Sequence, residues 1–214
     1  RYGDYAIQTA KTAPLRILST GFSGLDGALS RGGIVCGRIT TLISTGTSGA
    51  LTIGYHLLGR GQSFDAFTAY LDLNSSFDPE YAVQCGVTLN QLLVIRAPDA
   101  LLGIEIARDL VLTNTVPLVL VDLVGLADDL STATLDRLQD GFIRAQAAVV
   151  FVVDRLTPDV EAVSHTVLQF QRQSWHFDGD RLNCYESRVT ILKDKPQPKA
   201  ETVTLTIDHG GSFT

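Results

Sequence analysis

Apolar positions along the chain follow two rhythms. Between Ile39 and Val153, short runs that are apolar on successive residues alternate with stretches in which apolar residues recur every three or four positions. The short runs are Ile39–Ile43 (ITTLI), Ala66–Leu73 (AFTAYLDL), Leu92–Arg96 (LLVIR), Pro117–Val121 (PLVLV) and Ala148–Val153 (AVVFVV). Their length and β-branched content predict strands buried on both faces. The stretches between them predict helices over Ala50–Leu58, Pro79–Cys85, Leu101–Leu112 and Thr132–Ala147, the third with Leu102, Ile106 and Leu110 on one face. A short amphipathic helix is expected over Ser19–Leu29, ended by Gly32 and Gly33, and residues 1–18 read as an arm or an extended strand. Past Val153 the pattern changes. Thr166–Phe177, Arg188–Asp194 and Glu201–Ile207 alternate in polarity like half-exposed strands, with Pro196 and Pro198 breaking the last connection. The expectation is one α/β domain over residues 1–214: a largely parallel central sheet flanked by helices, with antiparallel edge strands over residues 160–214.

Composition narrows this only a little. At 214 residues, 45% hydrophobic and 19% charged, the chain can bury a full core without staples. Its net charge of -6 gives no general attraction to phosphate backbones. Cys36, Cys85 and Cys184 are odd in number and show no CxxC spacing, which suits buried thiols in a reducing, cytoplasmic setting. No apolar run approaches the ~18 residues of a membrane span. The chain opens on Arg1 and contains no Met, so an N-terminal portion is expected to be missing. His165, His176 and His209 lack metal-ligand spacing, and no metal site is expected.

One connection has the setting of a phosphate cradle. The run Ser44-Thr45-Gly46-Thr47-Ser48-Gly49-Ala50-Leu51 joins a β-branched strand to a helix. A working phosphate loop, G-x-x-x-x-G-K-[ST], supplies small residues so that backbone N–H groups converge, a lysine for the β- and γ-phosphates, and a hydroxyl for Mg²⁺. Here Ser44 replaces the first glycine, Ala50 the lysine and Leu51 the hydroxyl residue. Taken alone, it is a plain strand-to-helix turn.

The surroundings resemble the RecA recombinase family. Ser19-Thr20-Gly21-Phe22-Ser23-Gly24-Leu25-Asp26 is similar to its ISTG-x-x-x-LD segment, and Gly32-Gly33 through Gly37-Arg38-Ile39 to its GG-x-x-x-GRI run. Tyr2-Gly3 with Ile7 resembles the family's opening FG-x-x-x-I. Asp72-Leu73-Asn74 followed by Asp78-Pro79-Glu80-Tyr81-Ala82 and Gly86-Val87 resembles the strand end and DP-x-YA-x-x-x-GV helix. Pro117–Asp122 looks like the Walker B strand, and Glu186-Ser187-Arg188-Val189 through Lys193-Asp194-Lys195 like the E-[ST]-RV-x-x-x-K-x-K stretch. These segments keep family order over most of the chain. They imply a RecA-like P-loop NTPase fold.

The departures fall on chemistry. The resemblance puts the family's catalytic glutamate at Asn74, and an amide is no general base. Its phosphate-contacting glutamine falls at Val153 or Asp154. Asp122 remains, but one carboxylate does not hold Mg²⁺ alone. No catalytic residue is therefore expected, and ATP and Mg²⁺ are expected not to bind. Two features persist. Tyr81 stands where the family stacks a tyrosine on adenine, or is a half-buried core tyrosine. Lys193 and Lys195 stand where paired lysines reach a neighbouring subunit's nucleotide, or are solvated strand-end lysines. The resemblance places the family's two DNA loops at residues 125–133 and 154–165. The first carries Asp128 and Asp129 and no base, and the second carries three acids and Arg155. Phosphate contacts need Lys or Arg, so DNA binding is doubtful. Arg137 and Arg144 read as solvated helix residues. Trp175, His176 and Phe177 form an aromatic cluster on an edge strand that is either a protein contact or core. The family's C-terminal domain is expected to be lacking.

Lysine-less RecA-like proteins, of the ImuA type found in inducible mutagenesis cassettes and of the SulA type that inhibits division, act by protein contact. The expectation is therefore a non-catalytic accessory or regulatory protein of DNA repair or recombination, in an SOS-type response, whose partner is RecA itself or a repair polymerase complex. The alternatives are a divergent DNA-dependent ATPase that uses Asp122, Tyr81 and an unrecognised cation, and a single-stranded DNA binder that needs no ATP.

Overall fold

The computed structural model describes residues 15–63, 66–142, 146–196 and 201–208. Its centre is an eight-stranded sheet in the order β10-β9-β8-β3-β7-β6-β4-β5. These strands are β3 (Ile39–Ser44), β4 (Thr68–Asp72), β5 (Leu92–Ile95), β6 (Leu118–Asp122), β7 (Ala148–Val153), β8 (Ser164–Asp178), β9 (Arg181–Asp194) and β10 (Glu201–Asp208). A two-stranded antiparallel ribbon, β1 (Ile17–Leu18) with β2 (Ile34–Val35), lies apart from it.

Six strands, β8 to β5 in spatial order, run parallel, and β9 and β10 are antiparallel to their neighbours. This corrects one expectation. β8 is antiparallel to β9 but joins β3 in parallel, Ile39 opposite Ser164 and Ser44 opposite Phe170. Its half-exposed pattern arises because only its first half is covered on both sides. From Gln171 onward it extends past the end of β3 and pairs with β9 alone.

The apolar strands sort their side chains by the period of two. Leu118, Leu120, Val150 and Val152 join one cluster with Ile53, Tyr55, Leu57 and Leu58 of α2 (Ala50–Gln62). Val119, Val121, Val149, Phe151 and Val153 face the other way. There they meet Ile104, Ala107 and Val111 of α4 (Ala100–Leu112), and Leu135 and Leu138 of α5 (Thr132–Phe142). Burial of both faces is why these strands read as continuous apolar runs.

The helices differ from expectation at their ends. The first, α1, covers Ser23–Ala28 only, because the Asp26 carboxylate turns back to Thr20 N, Thr20 Oγ1 and Ser19 Oγ and holds residues 19–22 as a turn. Of the predicted helix 132–147, Thr132–Phe142 is helical and residues 146–147 are not; residues 143–145 lie outside the described set. Proline at the first turn suits the two short helices α3 (Pro79–Gln84) and α6 (Pro158–Val163), where Asp78 and Thr157 side chains accept from Tyr81 N and Val160 N. The second of these replaces part of the loop expected at 154–165. Periodicity missed it because six residues are under two turns. β9 also begins at Arg181, seven residues before its expected start.

Candidate functional site

The parallel strands β3, β4, β6 and β7 end on one edge of the sheet, where ligands of open α/β sheets collect. Residues 44–49 leave β3 there and turn into α2. Gly49 takes φ +92° at the helix entrance, and a Cβ on it would lie 2.5 Å from Ile207 Cδ1. The loop is tied down at several points. Ser44 Oγ donates to Gly46 O (2.8 Å), Thr45 Oγ1 to Phe170 O (2.8 Å) and Ser187 Oγ to Ser48 O (2.6 Å). Arg172, on β8, donates to both the carbonyl and the hydroxyl of Thr47. A cation from β8 therefore lies beside the loop, which carries none of its own. The parallel β8–β3 pairing, which no local pattern announces, brings Arg172 to it. The guanidinium also lies 4.3 Å from the Trp175 ring centroid.

Ala50 is fully buried at the head of α2 in the core. Leu51 is half-buried, packs against the same cluster and lines a cavity of about 650 Å³. That cavity extends from residues 44–49 across to Asn74, Ser76, Tyr81, Asp122 and Val124. Its remaining walls come from Val152 and from the β8–β10 strands, through Trp175, Leu182, Tyr185 and Asp208.

Asp122 ends β6 and is almost fully buried. Its Oδ2 accepts from Ser76 Oγ (2.6 Å) and Tyr70 Oη (3.2 Å). Its Oδ1 accepts from Asn74 Nδ2 (3.2 Å) and Val124 N (3.2 Å). The Asn74 amide also donates to Val124 O (3.0 Å), so it braces the turn after β6. Beside it on β4, in register, is buried Asp72. Asp72 accepts from Ser76 N (2.7 Å), Phe77 N and Arg96 Nε (2.9 Å). Two carboxylates on adjacent strands repel, and each is held by its own set of donors.

Tyr81 packs on the core cluster. Its hydroxyl shares a 2.8 Å hydrogen bond with Thr52 Oγ1, which also meets Tyr185 Oη at 3.3 Å. Burial raises the pKa of both phenols above their ordinary value. Tyr81 thus lines the cavity while holding a core contact.

Lys193 and Lys195 lie at the other end of the sheet, since Val167 at the start of β8 pairs with Lys193. The Lys193 ammonium donates to the Glu161 carbonyl, and partial burial lowers its pKa. Lys195 is exposed, and its backbone N–H donates to His165 O. Of the two expected DNA loops, Arg155 pairs with Asp128, and Asp154 accepts from Gly125 N (2.9 Å). The one arginine of these loops is thus paired within them, and they stay acidic overall. Tyr2, Gly3, Ile7, Arg144 and His209 lie outside the described residues.

Sequence comparison adds a decisive observation. The RecA N-terminal domain model matches residues 2–173, most of the chain. The chain belongs to the RecA family. It is similar to protein RecA of Clostridium tetani, 34% identical over 86% of this chain and 62% of that protein. For protein RecA of Chlorobium chlorochromatii the figures are 26%, 92% and 65%, and for that of Roseiflexus sp. 29%, 71% and 49%. The chain thus spans about half to two thirds of the length of these RecA relatives. Among the described residues, no helix is long and apolar enough to cross a membrane. Sequence reasoning about this RecA-family site missed Tyr70, Ser76, Thr52, Tyr185 and Arg172. Each acts through a contact that is distant in sequence or set by strand pairing.

Proposed function

We propose that this RecA-family chain serves DNA recombination or repair as a non-hydrolysing accessory protein that works through contact with another protein. One observation carries the reading. The carboxylate at the Walker B position, Asp122, is committed to four donors of its own chain, while Ala50 and Leu51 stand where a triphosphate and Mg²⁺ need a lysine and a hydroxyl. These residues do not fit Mg²⁺·ATP. With Asn74 also hydrogen-bonded as a strut, no base is placed to orient a water. Lys193 and Lys195, on the far end of the sheet from the loop, are the side chains suited to a partner subunit's anion. RecA or a repair polymerase complex is the partner class that the family suggests.

A divergent ATPase is the second reading, and Arg172 is what favours it. This exposed cation already touches the loop at Thr47 and could turn to a phosphate instead. Calorimetric titration with ATP, with and without Mg²⁺, separates the two. The accessory reading expects no Mg²⁺-dependent heat, and a micromolar Mg²⁺-dependent affinity that disappears in Arg172→Ala establishes the ATPase reading in its place. A pull-down with RecA, comparing wild type with the Lys193→Ala, Lys195→Ala double variant, tests the contact. Unchanged capture removes these lysines from it.

A further inference from the structure

The phosphate chemistry is gone from the sheet edge, yet a space of about 650 Å³ is kept there. That size is typical of small-molecule sites, roughly 300–1,000 Å³. Its walls are uneven in character. Leu51, Val124, Val152 and Leu182 supply aliphatic surface, and the rings of Trp175 and Tyr185, 5.5 Å apart between centroids, supply flat aromatic surface. The charged groups of the lining are both carboxylates, Asp122 and Asp208, and no Lys or Arg belongs to it among the described residues. Asn74 donates its amide hydrogens to Asp122 and Val124, so its carbonyl oxygen is what it can offer a guest. The Thr52, Tyr81 and Tyr185 hydroxyls share two hydrogen bonds and retain spare lone pairs. The Trp175 ring already carries the Arg172 guanidinium 4.3 Å from its centroid, so its face accepts positive charge.

Flat apolar walls, acceptors in excess and negative charge select against a triphosphate and for a planar guest with N–H donors. We propose that this cavity binds a flat aromatic amine that carries no phosphate. This rests on the reading that the Mg²⁺·ATP site is lost. The amine's hydrogens face the Asn74 carbonyl, the hydroxyls and the Asp208 carboxylate, and its ring system lies against Trp175 and Tyr185. An anionic guest meets two carboxylates inside the cavity, and the cation at its rim, Arg172, is already engaged by Thr47 and the Trp175 ring.

The chain supplies its own reporter, because Trp175 is its single tryptophan. Two phosphate-free probes, 9-aminoacridine and adenosine, are titrated into the protein against ATP·Mg²⁺, following Trp175 fluorescence and calorimetric heat. The expected result is a saturable signal for at least one of the two amines, with ATP·Mg²⁺ weaker by ~tenfold or more for like-charge opposition. Leu182→Arg, which introduces a cation on the half-buried wall, weakens 9-aminoacridine by ~tenfold or more. Leu51→Phe, which narrows the space, weakens both amines. Cooperative thermal melts confirm that the variants fold, and the two substitutions sit on different elements so that one misfolding does not decide the outcome. Absence of saturable binding by both amines overturns the proposal, as does binding untouched by either variant. If neither amine nor ATP binds, only this inference fails. If ATP·Mg²⁺ binds more tightly than adenosine, the accessory reading fails with it.

Discussion

Replacing Asp122 by alanine separates a structural carboxylate from a metal-holding one. In a site built for Mg²⁺, loss of this group costs nucleotide affinity and leaves folding nearly unchanged. Here the side chain accepts from Tyr70 Oη, Ser76 Oγ, Asn74 Nδ2 and Val124 N. Ser76, Asn74 and Val124 are exposed and can turn to water, so their loss is modest. Tyr70 is fully buried, and an unsatisfied buried donor costs about 1–3 kcal/mol. Two effects reduce the net. Ser76 Oγ, at 3.4 Å from Tyr70 Oη, offers a poorer substitute acceptor, and buried Asp72 loses a like-charged neighbour in register. The expected net destabilisation is about 1–3 kcal/mol, toward the lower end if a cavity water replaces the carboxylate. Urea unfolding followed by Trp175 fluorescence measures it as a shift in midpoint at constant slope. Wild-type stability combined with a lost Mg²⁺-dependent ATP affinity would refute the structural role of Asp122.

Three further outcomes follow from other parts of the molecule. Gly49→Ala is expected to destabilise by about 1–2 kcal/mol through its left-handed φ and the close approach to Ile207, and Gly46→Ala, with φ +65° but open space around it, by about 1 kcal/mol or less; equal urea midpoints for the two would contradict the packing of the loop against β10. Burial raises the Cys36 thiol to about 11 and Cys85 to about 12, whereas Cys184 is partly exposed, so Ellman's reagent near pH 8 should titrate Cys184 first and the other two only on unfolding; three fast thiols would show that the core is open. Burial lowers the His165 pKa, outweighing the attraction of Asp194, while Arg38, Lys195 and Arg31 push the same way as burial. The unfolded state then takes up the proton more readily, so the His165 contribution is complete above its ordinary pKa of about 6.5 and lost as pH falls through the window below it. The wild type should lose more stability than His165→Gln between about pH 7.5 and 5.5, and parallel losses would exclude His165 as the source.

The parallel core was legible because burial on both faces leaves a signature that needs no partner to be read, as in PLVLV and AVVFVV. Element ends were less so. The arrest of α1 depends on Asp26 reaching back six residues to Thr20, and α6 is too short to show a period. The clustering of the site residues was also legible, since Ser44, Gly46, Thr47, Ser48, Gly49, Leu51, Asn74, Tyr81 and Asp122 line one cavity. What they do there was not. Asn74 reads as a missing base in the sequence and becomes a brace for Asp122 in the fold, and Arg172 gains its place only when β8 pairs with β3. Such roles are set by residues more than 40 positions away, which a local pattern does not encode.

The β8–β9 ribbon has a mechanical consequence. It is clamped to β3 only as far as Phe170; beyond that point β8 pairs with β9 alone while β10 stays on β9 as far as Cys184, so Trp175 and Tyr185 sit on a three-stranded overhang. Lys193 rides the same strand as Tyr185, eight residues and roughly 26 Å along it at the usual rise per residue. A displacement of the overhang must therefore strain the clamped segment before it reaches the lysine, which makes the stiffness of the β3 seam the quantity that decides whether the two ends of this beam can sense one another.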